Sequence, residues 1–187
     1  KVALVTEHVP LKEVPGILST KKICQKAELI HQSLIRDFGI DRPKIAILGL
    51  NPHAGDKGQI GMEEQDIIIP AIEKLNQKNI LAFGPYSSDA YFAQGHYKKF
   101  DATLAMYHDQ GLIPFKTIAG LEGVNYTCGL PKVRTSPDHG VAFDIAGKNI
   151  ADEESLRFAI FEAINIFRQR NAYDEQTANP LVRNTVV

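Results

Sequence analysis

Cysteine is scarce: only Cys24 and Cys128 occur in 187 residues, far apart and with no CxxC pair. That excludes a disulfide scaffold and a thiolate zinc site, and both read as buried thiols. An excess of either charge is also lacking, because 21 Lys and Arg stand against 22 Asp and Glu, a formal net charge of −1. So balanced a chain has no global attraction for a nucleic-acid backbone, although local charges still permit a small anionic ligand. Long apolar runs are missing, since 45–48 and 67–69 fall far short of the ~20 residues of a membrane span. What is present, 44% hydrophobic and 23% charged residues, belongs to an ordinary globular domain. A cytoplasmic location is expected. Residue 1 is Lys and no signal-peptide layout follows, which suggests a piece of something longer.

Hydrophobic period gives the organisation. Residues 2–5 read as a buried strand, and Ser19 or Thr20 can cap a helix whose Ile23, Ala27, Ile30, Leu34 and Phe38 share one face until Gly39. Strand 44–48 gives way to a loop with Gly55, Gly58 and Gly61, then to a helix with Glu63, Glu64 and Asp66 at its positive end and a kink or restart at Pro70. Strands at 80–83, 102–107 and 124–128 alternate with helical stretches at 89–96 and 112–118. A long helix from Asp152 places Leu156, Ala159, Ile160, Ala163, Ile164 and Phe167 on one face, with Arg168 and Arg170 suited to its C-terminal dipole. Strands alternating with helices predict an α/β fold, a mostly parallel sheet with helices on both faces. Residues 1–170 form that region and 171–187 a polar C-terminal tail.

His8, His53 and His108 each fall just beyond a predicted strand. Ligands of open α/β sheets gather beyond the strands' carboxyl ends, and three neutral imidazoles suit zinc or another divalent ion with one coordination position left open. Any one of them alone reads as a hydrogen-bonding surface residue. His31 and His96 lack this placement and read as surface. For a nucleotide there is no GxGxxG, and the Gly55/Gly58/Gly61 spacing is wrong for the dinucleotide fingerprint.

The strings VTEH, GLNPHAGDKGQIGMEE, LAMYHDQGLIPFK, GVNYTCGLP and RTSPDHGVAFDIAGK resemble the 4-hydroxythreonine-4-phosphate dehydrogenase family of vitamin B6 biosynthesis, over about residues 2–168. The resemblance implies an isocitrate/isopropylmalate-dehydrogenase-like fold, incomplete because the family's N-terminal part, with a His-Thr substrate pair, is absent. It implies NAD- (or NADP-) dependent oxidation and decarboxylation of 4-phosphohydroxy-L-threonine to 3-amino-2-oxopropyl phosphate. A divalent metal assists, with zinc favoured and magnesium or cobalt as alternatives. Its metal ligands fall on His8, His53 and His108, shared across a homodimer, and its substrate-binding residues on Lys116, Asn125 and Arg134. Those three side chains suit a phosphate and a carboxylate. Asp109 is the candidate catalytic acid or orienting residue, with a helix cap as the plainer reading, and Asp89 resembles a further acid near the site. The stretch from His139 through Asp144 to Asn149 is similar to the adenosine-binding loop of isopropylmalate dehydrogenases; its plainer reading is a tight turn at Gly147 capped by Asp152. Tyr126, Cys128 and Pro137 depart from the family's pattern. Two other readings stay open: a three-histidine metallohydrolase with Glu7 or Asp109 as base, and a truncated, non-catalytic metal-binding or dimerisation module.

Overall fold

The computed structural model describes residues 1–138, 140 and 143–181. Four parallel strands form the main sheet: β1 (Val2–Leu4), β2 (Lys44–Leu48), β3 (Leu81–Tyr86) and β4 (Ala102–Ala105), in the spatial order β1-β4-β2-β3. Register runs Val2 to Thr103, Ile45 to Ala102 and Ile45 to Ala82. Between them lie α1 (Val14–Ile17), α2 (Thr20–Arg36), α3 (Ile69–Gln77) and α4 (Ser88–Ala93), and α5 (His108–Ala119) follows β4. Side chains alternate across a strand, so β2 divides its residues between two cores. Ile45 and Ile47 pack with Ile23, Ala27, Ile30 and Leu34 of α2 and with Ala71, Ile72 and Leu75 of α3. Ala46 and Leu48 pack with Tyr91 of α4, with Ala105 and with the rings of Tyr86 and Phe100. The parallel α/β sheet with a helix layer on each face is therefore as expected. Gly111 of α5 completes the second layer, because a Cβ there would lie 2.8 Å from Leu4 Cδ2 and 3.0 Å from Ala105 Cβ.

The α2 boundaries follow from local chemistry. Ser19 Oγ accepts the Lys22 amide at 3.2 Å, closing an orphan donor at the helix start. Pro70 restarts rather than breaks its helix: a π-helical turn, Glu64–Ile68, precedes it and α3 begins at Ile69. Four expectations change. The strand near 124 is not part of the parallel sheet; β5 (Val124–Tyr126) pairs antiparallel with β6 (Thr135–Pro137), whose short polar stretch gave no periodic signal. The last helix, α6 (Glu154–Thr177), continues past 170 into the segment read as tail. It lies on the β5–β6 hairpin, where Thr135 Oγ1 donates to the Ala159 carbonyl at 2.8 Å. Arg170 is not a solvated dipole partner: it is buried and bonded to Asp37 at the end of α2. His31 is not fully surface either. Its Nδ1 is buried without a partner among the described residues, and desolvation pushes its pKa down. Among the described residues no helix is long and apolar enough to cross a membrane.

Candidate functional site

In a parallel sheet every strand ends on the same edge, and β1, β4 and β2 are neighbours in it. His8, His53 and His108 therefore all emerge from one edge of the sheet, by topology rather than by sequence proximity. The β1 and β4 exits are tied to one another. The Val5 amide donates to the Ala105 carbonyl at 2.9 Å, and Thr6 donates to the Met106 carbonyl from its amide at 3.2 Å and its hydroxyl at 2.8 Å. Two residues further along, the His8 and His108 rings stand with centroids 5.7 Å apart.

His108 is the first residue of α5 rather than a free loop residue. Asp109 follows it in the first turn, where a carboxylate complements the helix's positive end. Asp109 Oδ1 also lies 2.7 Å from His108 Nδ1. With the proton on Nδ1, that bond orients the ring and leaves the Nε2 lone pair available, the usual outer partner of a metal-binding imidazole. The donor set therefore fits a divalent ion: two adjacent imidazoles, one backed by a carboxylate. His53 is not in this pair, and no group of three or more His, Cys, Asp or Glu is close enough to hold an ion among the described residues of the single chain. It sits instead on the side of Asp89, whose pKa is lowered first by the Ser87 hydroxyl, 2.6 Å away, then by the Ala90 amide and also by the His53 charge.

The His53 loop has an unusual backbone. Five successive residues, from His53 to Lys57, have positive φ between 40° and 79° and form a left-handed turn. A non-glycine residue costs about 1–2 kcal/mol in that region, and four of these five carry a Cβ. The loop is anchored at its base by Gln110 of α5, which sequence reasoning missed. Its Oε1 accepts the Met106 amide at 2.6 Å, and its Nε2 donates to the Gly49 carbonyl at 2.6 Å and to Ser88 Oγ at 2.7 Å. One buried amide thus joins the ends of β4 and β2 to the start of α4. Its only trace in the sequence is a Gln two residues after a candidate ligand.

A cavity of ≈ 820 Å³ opens beside the histidine pair. His8, His108, Lys116 and Asn125 all line it. Asn125 projects from β5, and Lys116 from α5, where Asp138 holds its ammonium at 3.4 Å through the carbonyl and 3.6 Å through the carboxylate. Arg134 is not among the lining residues; its Nη1 donates to the hydroxyl of Thr127, which is. At the rim Glu7 pairs with Lys26 at 2.9 Å, and that bond draws the Glu7 pKa down.

Of the candidate nucleotide residues, Asp144 and Asn149 do not line the cavity. Asp144 and Asn149 sit in an exposed turn closed by Ala146 N to Phe143 O at 3.4 Å and Lys148 N to Ile145 O at 3.1 Å. Gly147 and Asn149 there have positive φ, and Asp152 Oδ1 accepts the Glu154 amide at the start of α6. The turn-and-cap reading is therefore realised over the described residues 143–154. His139 lies outside the described residues.

Comparison with known proteins places this arrangement in a family. The family model described as "Pyridoxal phosphate biosynthetic protein PdxA" matches residues 1–163. The chain belongs to the PdxA family. A 4-hydroxythreonine-4-phosphate dehydrogenase of Bacteroides thetaiotaomicron is 53% identical over 181 residues, which are 97% of this chain and 50% of that protein. The corresponding protein of a Sulfurihydrogenibium species is 54% identical over 170 residues. Among solved structures, the 4-hydroxythreonine-4-phosphate dehydrogenase of Klebsiella pneumoniae superimposes with a TM-score of 0.79 at 41% identity, covering 88% of this chain and 50% of that one. A terephthalate 1,2-cis-dihydrodiol dehydrogenase of Burkholderia xenovorans gives a TM-score of 0.70 at 32% identity, covering 88% of this chain and 52% of that one. The isocitrate/isopropylmalate-dehydrogenase-like fold of these PdxA relatives is the one described above. The chain spans about half the length of the curated relatives it matches.

Proposed function

We propose that this chain is the metal- and substrate-holding half of an NAD-dependent dehydrogenase that oxidises and decarboxylates 4-phosphohydroxy-L-threonine. The observation that carries the reading is the meeting of the His8–His108 pair with Lys116 and Asn125 on one cavity. A divalent cation held by these histidines would supply Lewis acidity at the substrate's alcohol, and NAD would serve as the hydride acceptor.

The chain's own residues perform the binding and orienting. His8 and His108 offer nitrogen donors, and Asp109, bonded at Nδ1, orients the His108 ring and leaves Nε2 as its donor to a metal. Lys116 supplies a point charge for a phosphate or carboxylate, with Asp138 holding its ammonium ready. Asn125 adds an amide from the adjacent strand. Arg134 supports the same wall through Thr127 and, by a rotamer change, presents a planar fork to an anion. His53, on the neighbouring loop, is the third ligand, brought into one site with the other two by pairing of two subunits in a homodimer. Asp144 and Asn149, with His139, form the adenosine end of the nucleotide site, and Asp89 assists from beside His53.

A metallohydrolase is less favoured because its two candidate bases are engaged: Lys26 keeps Glu7 a weak base, and Asp109 is bonded to His108. The kinship with a dihydrodiol dehydrogenase supports a second substrate reading, in which the same site takes a vicinal diol without phosphate. Lys116 on the cavity wall favours the anionic substrate. The test is a paired assay. Zinc titrated into the 187-residue chain should bind with an affinity that His108→Ala lowers at least tenfold, while NADH formation from 4-phosphohydroxy-L-threonine should be absent from the chain alone and present in a full-length relative. Zinc binding indifferent to His108, or turnover by this chain matching the relative, would overturn the reading.

A further inference from the structure

The glycine-rich loop has a hidden occupant. Glu64 opens the π-helical turn after the loop, and at 1% exposure it is one of the most deeply buried charged side chains among the described residues. Its Oε1 accepts the Leu50 amide at 2.7 Å and the Asn51 amide at 2.8 Å, and its Oε2 accepts Asn51 Nδ2 at 3.0 Å. No Lys, Arg or His pairs with it among the described residues, so these N–H donors carry the whole task of stabilising a buried acceptor. The glycines are arranged around this carboxylate. A Cβ on Gly55 would sit 2.5 Å from Glu64 Oε2, one on Gly49 would sit 3.1 Å from Oε1, and one on Gly61 would sit 2.4 Å from Asn51 Nδ2. Gly49, Gly55 and Gly61 leave room for Glu64 and Asn51, whereas Gly58 faces Met62 Sδ, where a Cβ would sit 2.6 Å away. The π turn adds the extra residue that a regular helix lacks, a feature found often at functional sites.

We propose that Glu64 is the positioning residue for His53: its buried carboxylate, holding the Leu50 and Asn51 amides, locks the left-handed turn 53–57 and so fixes where the His53 imidazole meets a divalent cation. The cation rests on the function proposed above; the lock on the turn does not. Left-handed backbone at four residues bearing a Cβ persists only where surrounding contacts over-determine it, and Glu64 supplies those contacts at the turn's entry. Loss of such an outer partner typically lowers metal affinity 10–100-fold.

The test uses the 187-residue chain with Glu64→Ala, Glu64→Gln, Gly55→Ala, His53→Ala and the Glu64→Ala/His53→Ala double variant. NMR backbone shifts of residues 53–57 report the left-handed turn, and titration with zinc ion alone reports the site. Glu64→Ala should abolish the left-handed signature while the β1–β4 amide pattern persists, and should weaken zinc at least tenfold. Glu64→Gln keeps a carbonyl acceptor for Leu50 and Asn51 and should restore most of both readouts. The double variant should bind zinc no more weakly than His53→Ala, because Glu64 acts through His53. A left-handed signature intact in Glu64→Ala, or an added loss in the double variant, overturns the proposal. If Glu64→Ala does not fold, Gly55→Ala decides, since its Cβ displaces the carboxylate: an unchanged turn and unchanged zinc affinity would reject the lock. If wild-type chain binds no zinc, the metal reading falls and the backbone signature alone judges Glu64.

Discussion

Helices α2 and α6 carry the same kind of sequence pattern and meet opposite fates. The apolar stripe of α2 is in the core: Ile23, Ala27 and Leu34 are at most 1% exposed and Ile30 6%. The stripe of α6 is mostly in solvent, with Leu156 and Ile160 at 51% and Phe167 at 57%, and only Ala159 and Ile166 of its apolar residues are buried. What fastens α6 is polar. Arg170 Nε reaches Asp37 Oδ1 at 2.7 Å, its Nη1 reaches the carbonyls of Leu130 and Pro131, and Arg36 holds Asp174 through two bonds of 2.8 and 2.6 Å. Burial secures α2, while charge pairs and hydrogen bonds secure α6. Periodicity reports that a helix face is apolar; it does not report what covers it.

The sharpest way to break that contrast is to remove the buried pair. Arg170→Ala leaves Asp37, 3% exposed, without its cation, and losing one partner of a buried ion pair typically costs about 3–5 kcal/mol. The Arg36–Asp174 pair joins the same two helices with side chains 41% and 47% exposed, so Arg36→Ala should cost no more than about 1 kcal/mol. Urea unfolding of the two variants measures both, and equal losses would show that burial is not what makes the difference. Next in size, Leu34→Ala removes a fully packed side chain from the sheet-facing side of α2 and should cost about 2–5 kcal/mol.

How much was legible follows the same division. Elements buried on the sheet were readable, because Ile45, Ile47 and the Ile23–Leu34 stripe obey periods of two and 3.6 that nothing else in the fold contests. The edge position of the three histidines was readable for a related reason: strand ends in a parallel sheet share a side, so order along the chain implies place in space. Side-chain traffic between elements was not readable. Arg170 looked like a dipole partner because its true contact, Asp37, is 133 residues away. Gln110 and Glu64 gave no periodic signal, since their role is to satisfy backbone groups of a distant loop. β5 was read as a strand, but its partner β6 was missed, because a polar three-residue strand carries too few alternations to count.

A smaller effect tests the pair's third member. Tyr126 donates its hydroxyl to Asp37 and accepts from Arg170 Nη2 at 3.1 Å, and burial beside that carboxylate pushes its pKa to about 12. The unfolded tyrosine titrates near pH 10. A raised folded pKa means that the unfolded chain loses its proton first, so this contribution is complete below pH 10 and disappears as pH rises toward about 12. Tyr126→Phe should cost about 1.5 kcal/mol at pH 7 from the lost bonds to charged groups. It should also flatten the fall in stability between pH 10 and 12. Urea midpoints at pH 7, 10 and 11 read both effects, and a wild-type slope that survives the substitution would assign the alkaline loss to another group.

The smallest predicted change is the most direct test of the α6 stripe. Ile160 is half exposed, so Ile160→Ser removes little area from a packed contact and should shift unfolding by no more than about 0.5 kcal/mol. Truncating Leu34 to Ala carries several times that cost, although both positions look alike in an apolar pattern. If Ile160→Ser instead costs as much as Leu34→Ala, the stripe is covered in solution. Repeating the measurement across a tenfold range of chain concentration then identifies the cover: a midpoint that rises with concentration in wild type but not in the variant means that a second copy buries the face, since mass action stabilises only what binds the folded state.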